Sequence, residues 1–146
     1  MTIIESLRNY ISTYSNLKTL NDILYVFVDY ADNANVTTYS IEEGITSNPI
    51  IKRYTTGKTI RQYLFTFSSI EFYGSDIQNN IDNCGFYELF SQWLEDCTNN
   101  EILPTLDGNK EARSVEALTN GYLFSNSGSV ETARYQIQCR LTYYQD

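Results

Sequence analysis

The sequence predicts an α+β domain, in which an antiparallel twisted sheet with long hairpins packs against two helices. The first observation behind this fold class is the order of the patterns: a helical pattern, a group of strand patterns, a second helical pattern, and two closing strand patterns. The second is that the strand patterns join through short turns, which is typical of antiparallel pairing and not of alternating β/α units. With 146 residues, the chain is predicted to form a single domain over residues 1–146.

The first helix is predicted over residues 2–17. Thr2 and Glu5 form the Thr-x-x-Glu pattern of a capping box, in which each side chain satisfies a free amide near the other residue. The apolar residues that follow recur at spacings of three and four, so they share one stripe of the helix. They are Ile3, Ile4, Leu7, Tyr10, Ile11, Tyr14 and Leu17.

The next segments have strand composition. Residues 23–30 are β-branched and aromatic, which predicts a strand buried on both faces. Residues 38–43 predict a shorter strand, followed by a turn at Asn48-Pro49. Two further β-rich runs flank residues 56–58 and predict a hairpin. Its second strand places three aromatic residues on one face: Tyr63, Phe65 and Phe67.

The second helix is predicted to begin at another capping box, Ser75 with Gln78, and to end near Asn99. Gly85 interrupts it and weakens it by roughly 1 kcal/mol relative to alanine. The residues of its apolar face supply much of the expected core: Ile77, Ile81, Cys84, Phe86, Phe90, Trp93, Leu94 and Cys97.

Two long strands are predicted to close the chain, over residues 111–124 and 130–144, joined through residues 125–128. The last strand alternates regularly between an apolar and a polar face. Its apolar face carries Ala133, Tyr135, Ile137, Cys139, Leu141 and Tyr143, and its polar face carries Arg134, Gln136, Gln138, Arg140 and Thr142. Eleven extended residues span on the order of 35 Å, so two helices are not expected to cover the polar face. It is predicted to meet either solvent or another subunit.

Charge and apolar runs limit the partners. Ten basic residues oppose eighteen acidic residues, which gives a net charge of −8. Phosphate backbones repel such a chain, so tight binding to DNA or to an anionic membrane is not expected. The longest apolar run, residues 23–28, is far shorter than the roughly 20 residues of a membrane-spanning helix.

Three cysteines, Cys84, Cys97 and Cys139, make an odd number without a Cys-x-x-Cys spacing. The start of the chain lacks the pattern of a signal peptide. We therefore expect a protein made in the cytosol, with reduced and mostly buried thiols.

The chemistry available to the chain is limited, because histidine is absent. A Gly-Lys-Thr sequence at residues 57–59 lacks the earlier glycine of a phosphate-binding loop. Glu42 and Glu43 are neighbours in a predicted strand, so their side chains are expected to point to opposite faces. The sequence therefore predicts no catalytic, cofactor or metal site, and no enzyme.

Arginine is the residue on the long strands that is best suited to an assembly contact, because its planar fork binds carboxylates and this acidic chain offers many. A subunit interface is the alternative to a solvent-facing sheet. The candidate interface residues are Arg61, Arg113, Arg134, Gln136, Gln138 and Arg140.

Several runs of the sequence carry a resemblance that covers nearly the whole chain. They are YSIEEGITSNPIIKRYTTGKTIRQYLFTFSSIEFYG, NIDNCGFYELFSQWLE, ILPTLDGNKEARSVEALTNGYLF and ARYQIQCRLTYYQ. The chain resembles the minor capsid or head-tail joining proteins of tailed phages and prophages of Gram-positive bacteria. The order of its elements is also similar, more loosely, to that of tail terminator proteins of long-tailed phages.

This resemblance implies a tail-terminator-like fold and a structural role in the virion. It implies a ring of six-fold symmetry that caps the tail tube, stops its polymerisation and joins the tail to the head. The implied partners are other copies of the chain, the tail tube protein and the head connector proteins, with no cofactor. DNA passes through such a ring as cargo, and acidic residues at turns are candidates to line its lumen: Glu42, Glu43 and Asp107.

Two other functions stay open. The first is a different connector position, as a stopper, an adaptor or a minor capsid protein between portal and tail. The second is a small ligand-binding module, in which the Tyr and Phe face of the sheet lines a pocket under the second helix.

Overall fold

The computed structural model describes residues 2–15, 17, 26–28, 38–72, 77–126 and 132–146. Helix α1 spans Ile3–Ile11 and helix α2 spans Ile77–Asn99. The strands are β1 (Val26–Val28), β2 (Thr38–Glu43), β3 (Ile50–Arg53), β4 (Thr59–Phe72), β5 (Lys110–Ala117), β6 (Tyr122–Asn126) and β7 (Thr132–Gln145). The predicted α+β class with two helices is confirmed.

The two longest strands form the centre of the sheet. β4 and β7 pair antiparallel along their whole length, from Thr59 opposite Gln145 to Phe72 opposite Thr132. β2 and β3 follow one another along the free side of β4, and β5 and β6 follow one another along the free side of β7. β1 lies at the edge and pairs parallel with β2. Antiparallel pairing therefore joins six of the seven described strands, as predicted.

The core lies between the helices and one face of the sheet. On that face, Phe67 of β4 lies opposite Ile137 of β7, and both are fully buried. Phe67 stacks on Phe90 of α2 with ring centroids 4.6 Å apart, and on Tyr39 of β2 at 5.6 Å. Such aromatic contacts add to the burial of apolar area that holds α2 on the sheet. The predicted apolar face of the hairpin is confirmed.

Helix α1 is shorter than predicted. Its N-cap is Thr2, as expected, and the Glu5 amide donates to Thr2 Oγ1 over 3.2 Å. The helix ends at Ile11, not near residue 17, and the Ser12 hydroxyl donates to the Arg8 carbonyl over 2.6 Å. A side chain that bonds the last carbonyls in this way competes with continued helix. Tyr14, beyond the helix end, is nevertheless buried in the core.

The early strands match the predictions in part. β2 has the predicted bounds, and the hairpin turns at residues 54–58, where Gly57 has a φ of 94° that favours glycine. β1 is less buried than predicted: Val26 is buried, but Val28 on the same face is 37% exposed. The reason is its place at the edge of the sheet. Residues 23–25 and 29–30 of the predicted strand lie outside the described residues.

The predicted strand over residues 111–124 is wrong as one continuous element. β5 ends at Ala117 and β6 begins at Tyr122. Between them the Thr119 hydroxyl takes the place of a backbone carbonyl. It accepts a hydrogen bond from the backbone N–H of Gln138 over 3.2 Å. Both strands still pair with β7, so the ladder is interrupted and not lost.

Three predicted features fall wholly or partly outside the described residues. The capping residue Ser75 before α2 and the join at residues 127–128 lie there, as does the predicted start of the last strand at Val130. Within the described residues, α2 ends at Asn99 as predicted. The part of the chain that the structure describes contains no helix long and apolar enough to cross a membrane.

Candidate assembly surface

The face of the sheet away from the helices, here called the outer face, carries most of the candidate interface residues. The alternation of β7 is confirmed, since Tyr135, Ile137, Cys139, Leu141 and Tyr143 are all buried on the helix side. The polar face is less open than its sequence suggests, because Gln136 is only 9% exposed. Side chains of neighbouring strands cover it.

Arg134 lies at one end of the outer face and is bound within the chain. Its Nη2 donates to Ser68 Oγ of β4 over 3.3 Å, and its guanidinium forms an ion pair with Glu42 of β2. The Arg134 side chain is 24% exposed. This partial burial lowers the pKa of Arg134 from its usual value, because desolvation disfavours the charged form.

Arg140 forms a second cluster near the middle of β7. Its Nε donates to Glu116 Oε1 of β5 over 2.9 Å, and its Nη1 donates to Gln62 Oε1 of β4 over 3.5 Å. Between the two arginines, the amide groups of Gln136 and Gln138 both donate to the Tyr122 hydroxyl, over 2.7 and 3.3 Å. The carboxylates that meet these arginines therefore belong to the same chain, and the outer face is a cross-strand polar network.

The other two candidate arginines lie near the end of β7, on different faces of the sheet. Arg61 pairs in register with Tyr143 and therefore lies on the helix side of the sheet, where its Nε donates to Thr59 Oγ1 over 3.1 Å. Arg113 is the extra residue at an irregularity of β5, and its guanidinium carbon lies 5.5 Å from the centre of the Tyr144 ring. The structure thus places the predicted interface residues on more than one surface.

The three acidic residues proposed for a lumen are also separated. Glu42 and Glu43 point to opposite faces of β2, as predicted, and Glu42 is paired with Arg134. Asp107 precedes β5, at the opposite edge of the sheet from β2. Within one copy of the chain these carboxylates do not form one acidic surface.

Sequence reasoning missed a group of cations that the strand register brings together. Residues 143–145 of β7 lie beside residues 59–61 of β4 and residues 110–112 of β5. β3 pairs with β4 at the same end of the sheet. We call this region the basic end. It contains six of the ten basic residues of the chain: Lys52, Arg53, Lys58, Arg61, Lys110 and Arg113. In the sequence these residues fall in two distant stretches, 52–61 and 110–113, which only the register of the sheet brings together.

The thiols and carboxylates offer no assembled chemical site in the described residues. Cys97 and Cys139 are buried and Cys84 is exposed, and all three are free thiols, as predicted. Complete burial raises the pKa of the Cys139 thiol. No group of three or more Cys, Asp or Glu side chains that could hold a metal ion occurs in the part of the chain that the structure describes.

The space beneath α2 is filled by side chains. Phe86, Tyr87 and Phe90 of the helix pack against the aromatic residues of β2, β4 and β7. The cavities around the described residues lie at the surface, and one of about 320 Å³ runs between α2 and β5, lined by Glu95, Thr98 and Glu116 among others. The Tyr and Phe face of the sheet is therefore part of the packed core.

Comparison with known proteins adds no relative: no protein-family model matches the chain, and no curated protein matches it. These comparisons therefore do not link the chain to phage connector proteins.

Proposed function

We propose that this protein is a structural component of a phage virion, a tail terminator of the head-tail junction with a tail-terminator-like fold. The observation that carries the proposal is the length of the central pair of strands. β4 and β7 pair over fourteen residues each, and the β3–β4 hairpin at their end is exposed at every residue from 51 to 57. An exposed edge strand and turn of this kind are suited to contact a neighbouring subunit.

In this proposal the chain forms a closed ring, most simply a hexamer, on the last ring of the tail tube. The ring stops polymerisation of the tube protein and presents a surface to the head connector proteins. Its role is mechanical and not catalytic. The packed aromatic core supports this role, because a subunit that transmits contacts between neighbours needs a stiff interior.

The charge of the chain suits passage of DNA through such a ring. Six copies at −8 each carry about −48, so a negative lumen would repel the phosphate backbone and keep the DNA from binding. Glu43 and Asp107 are exposed on a strand end and a loop, and both are proposed lumen positions. Glu42 is a weaker candidate, since its side chain is only 33% exposed.

Electron microscopy of particles tests the proposal. A phage that encodes this chain would be given a nonsense mutation in its gene, and the tails produced in a non-suppressing host would be measured. Overlong tubes without heads are expected, because nothing would end polymerisation. Wild-type phage and the mutant grown in a suppressing host are the matched controls.

Other outcomes separate the alternatives. Tails of normal length that fail to join heads would move the protein to a stopper or adaptor position between portal and tail. Intact infectious particles would contradict any role in the virion. A ligand-binding module would then be the next candidate, tested by a rise in thermal stability with added ligands.

A further inference from the structure

We propose that copies of this chain associate head to tail, with the basic end of one copy bound to the exposed acidic surface of α2 in the next copy. This inference rests on the proposed ring and names its contact. It does not use Arg134 and Arg140 of the outer face, which are already paired within the chain.

The charge of the chain is divided unevenly. The six cations of the basic end are accompanied by three carboxylates, Asp107, Glu111 and Asp146, which gives this region +3. The remaining four cations and fifteen carboxylates give −11 for the rest of the chain. A concentrated positive region on an acidic protein steers association with a negative surface, and copies of the same chain provide that surface.

Aromatic rings hold several of these cations in place. The Lys52 ammonium lies 4.9 Å from the centre of the Tyr54 ring, and the Lys58 ammonium lies 4.7 Å from the centre of the Tyr144 ring. Arg113 lies over the same Tyr144 ring. Cations that are already positioned lose less side-chain entropy when a partner binds.

The exposed surface of α2 is the complementary partner. Glu88 and Glu95 are seven residues apart and lie on the same stripe, and Asp96 is adjacent to it. All three are exposed, and residues 77–99 contain no Lys or Arg. Leu89 is 59% exposed beside these carboxylates.

Both surfaces also have an apolar part. On the basic end, Ile51 is 52% exposed and Tyr54 is 39% exposed. Leu89 is their counterpart on α2. An apolar centre within a charged rim is the usual anatomy of a protein interface.

The C-terminal end of α2 carries negative charge that no basic residue of the helix neutralises. The last turn contains no basic residue, although Glu95 and Asp96 lie close to the negative end of the helix dipole. Carboxylates there are unfavourable, and a cation near the helix C-terminus is stabilising. The basic end of a second copy supplies such cations.

The same charges disfavour a contact of either surface with the same surface of a second copy. In an isologous dimer built on either surface, like charges would face each other. A heterologous contact of basic end with acidic helix avoids this repulsion, and repeated around an axis it closes into a ring.

Charge reversal of purified protein tests the contact. The hairpin variant combines Lys52→Glu with Arg53→Glu, and the helix variant combines Glu88→Lys with Glu95→Lys. All four side chains are exposed, so both variants are expected to keep the wild-type circular dichroism spectrum and Tm. Sedimentation velocity in 50 mM NaCl is expected to show wild-type self-association, and each variant alone should associate on the order of tenfold more weakly or worse.

Mixing gives the decisive result. The hairpin variant has two negative surfaces and the helix variant has two positive ones, so in an equimolar mixture both kinds of contact are again complementary. Association should return to within a few-fold of wild type and should be weakened by 500 mM NaCl. A variant with Glu5→Lys and Glu43→Lys has the same net charge as the helix variant but different positions, and it should associate like wild type.

Three results would overturn the proposal: a wild-type protein that stays monomeric up to near-millimolar concentration, single variants that associate as well as wild type, or a mixture that associates no better than its components. The outcome is independent of tail length in particles. If the mixture restores association but the nonsense mutant has normal tails, the contact is supported and the terminator function is contradicted. If the mutant tails are overlong but association does not depend on these charges, the terminator function is supported and the contact is contradicted.

Discussion

Gly121 lies directly against the ring of Tyr87, at the point where the sheet is interrupted between β5 and β6. A Cβ atom built on Gly121 would overlap Cβ and Cγ of Tyr87 and would lie 2.9 Å from its Cδ2. The Tyr87 hydroxyl in turn lies 2.6 Å from Ser69 Oγ and donates to the Tyr135 carbonyl over 3.1 Å. The close approach at Gly121 thus lets α2 reach both central strands.

Gly121→Ala is expected to destabilise the protein by about 1–3 kcal/mol, because Tyr87 is buried and the new methyl group forces it to move. For a chain of this size the loss corresponds to a fall in Tm of several degrees. Gly85→Ala is the control, since a Cβ at Gly85 meets nothing within 4 Å. That change should raise stability by up to about 1 kcal/mol, through helix propensity. Equal Tm values for the two variants would contradict the predicted clash.

Thr98 of α2 protects the open edge of β5. Its hydroxyl donates to the Val115 carbonyl over 2.9 Å and accepts from the Val115 amide over 3.1 Å. Thr98→Val keeps the shape of the side chain but leaves both backbone groups without this partner, so a loss of about 1–3 kcal/mol is expected in urea unfolding. Thr105→Val, at an exposed loop position, is the matched control and should change stability by less than about 0.5 kcal/mol. A Thr98→Val protein as stable as the control would show that the hydroxyl does not support the edge.

The two arginines of the outer face should differ in their importance. Arg134 is 24% exposed and contacts the fully buried Ser68, whereas Arg140 is 34% exposed and its partner Glu116 is 46% exposed. Arg140→Met is expected to cost less than about 1 kcal/mol, as for other exposed pairs. Arg134→Met should cost about 1–3 kcal/mol, because Glu42 and Ser68 lose a partner in a more buried position. Equal losses in urea unfolding would show that the difference in burial does not matter here.

The sequence predicted those parts of the fold that depend on local pattern. The alternation of β7, the hairpin at Gly57 and the N-cap at Thr2 are each determined by residues close in the chain. The break between β5 and β6 was missed, because it depends on the Thr119 hydroxyl meeting Gln138 and on the space taken by Tyr87. These contacts join residues that are distant in sequence.

The candidate surface shows the same division. The alternating pattern of β7 correctly predicts that Arg134 and Arg140 lie on the same face of the sheet. Their partners, Glu42 and Glu116, lie on two other strands. Sequence alone therefore suggested contacts with another subunit for arginines that are paired within the chain. The basic end was missed for a related reason, since its two groups of cations, at residues 52–61 and 110–113, become neighbours only because β4 and β5 both pair with β7.

Stability is expected to fall at alkaline pH because of Cys139. Burial raises the pKa of this thiol in the folded protein, while an unfolded cysteine has a pKa of about 8.5. Below pH 8.5 the thiol is protonated in both states, so it contributes no pH dependence. Above pH 8.5, Cys139 loses its thiol proton in the unfolded chain but keeps it in the folded protein. The free energy of unfolding therefore falls by about 1.4 kcal/mol per pH unit.

Urea unfolding between pH 7 and pH 10 measures this effect. Burial also raises the pKa values of Tyr10 and Tyr143, but an unfolded tyrosine has a pKa of about 10, so their contribution is smaller and is confined to the upper end of this range. Cys139→Ala should lower stability at pH 7, because it leaves a cavity, yet it should flatten the decline between pH 8.5 and pH 10. Cys84→Ala, which removes an exposed thiol, should keep the wild-type decline. An unchanged slope in Cys139→Ala would mean that another group controls the alkaline loss.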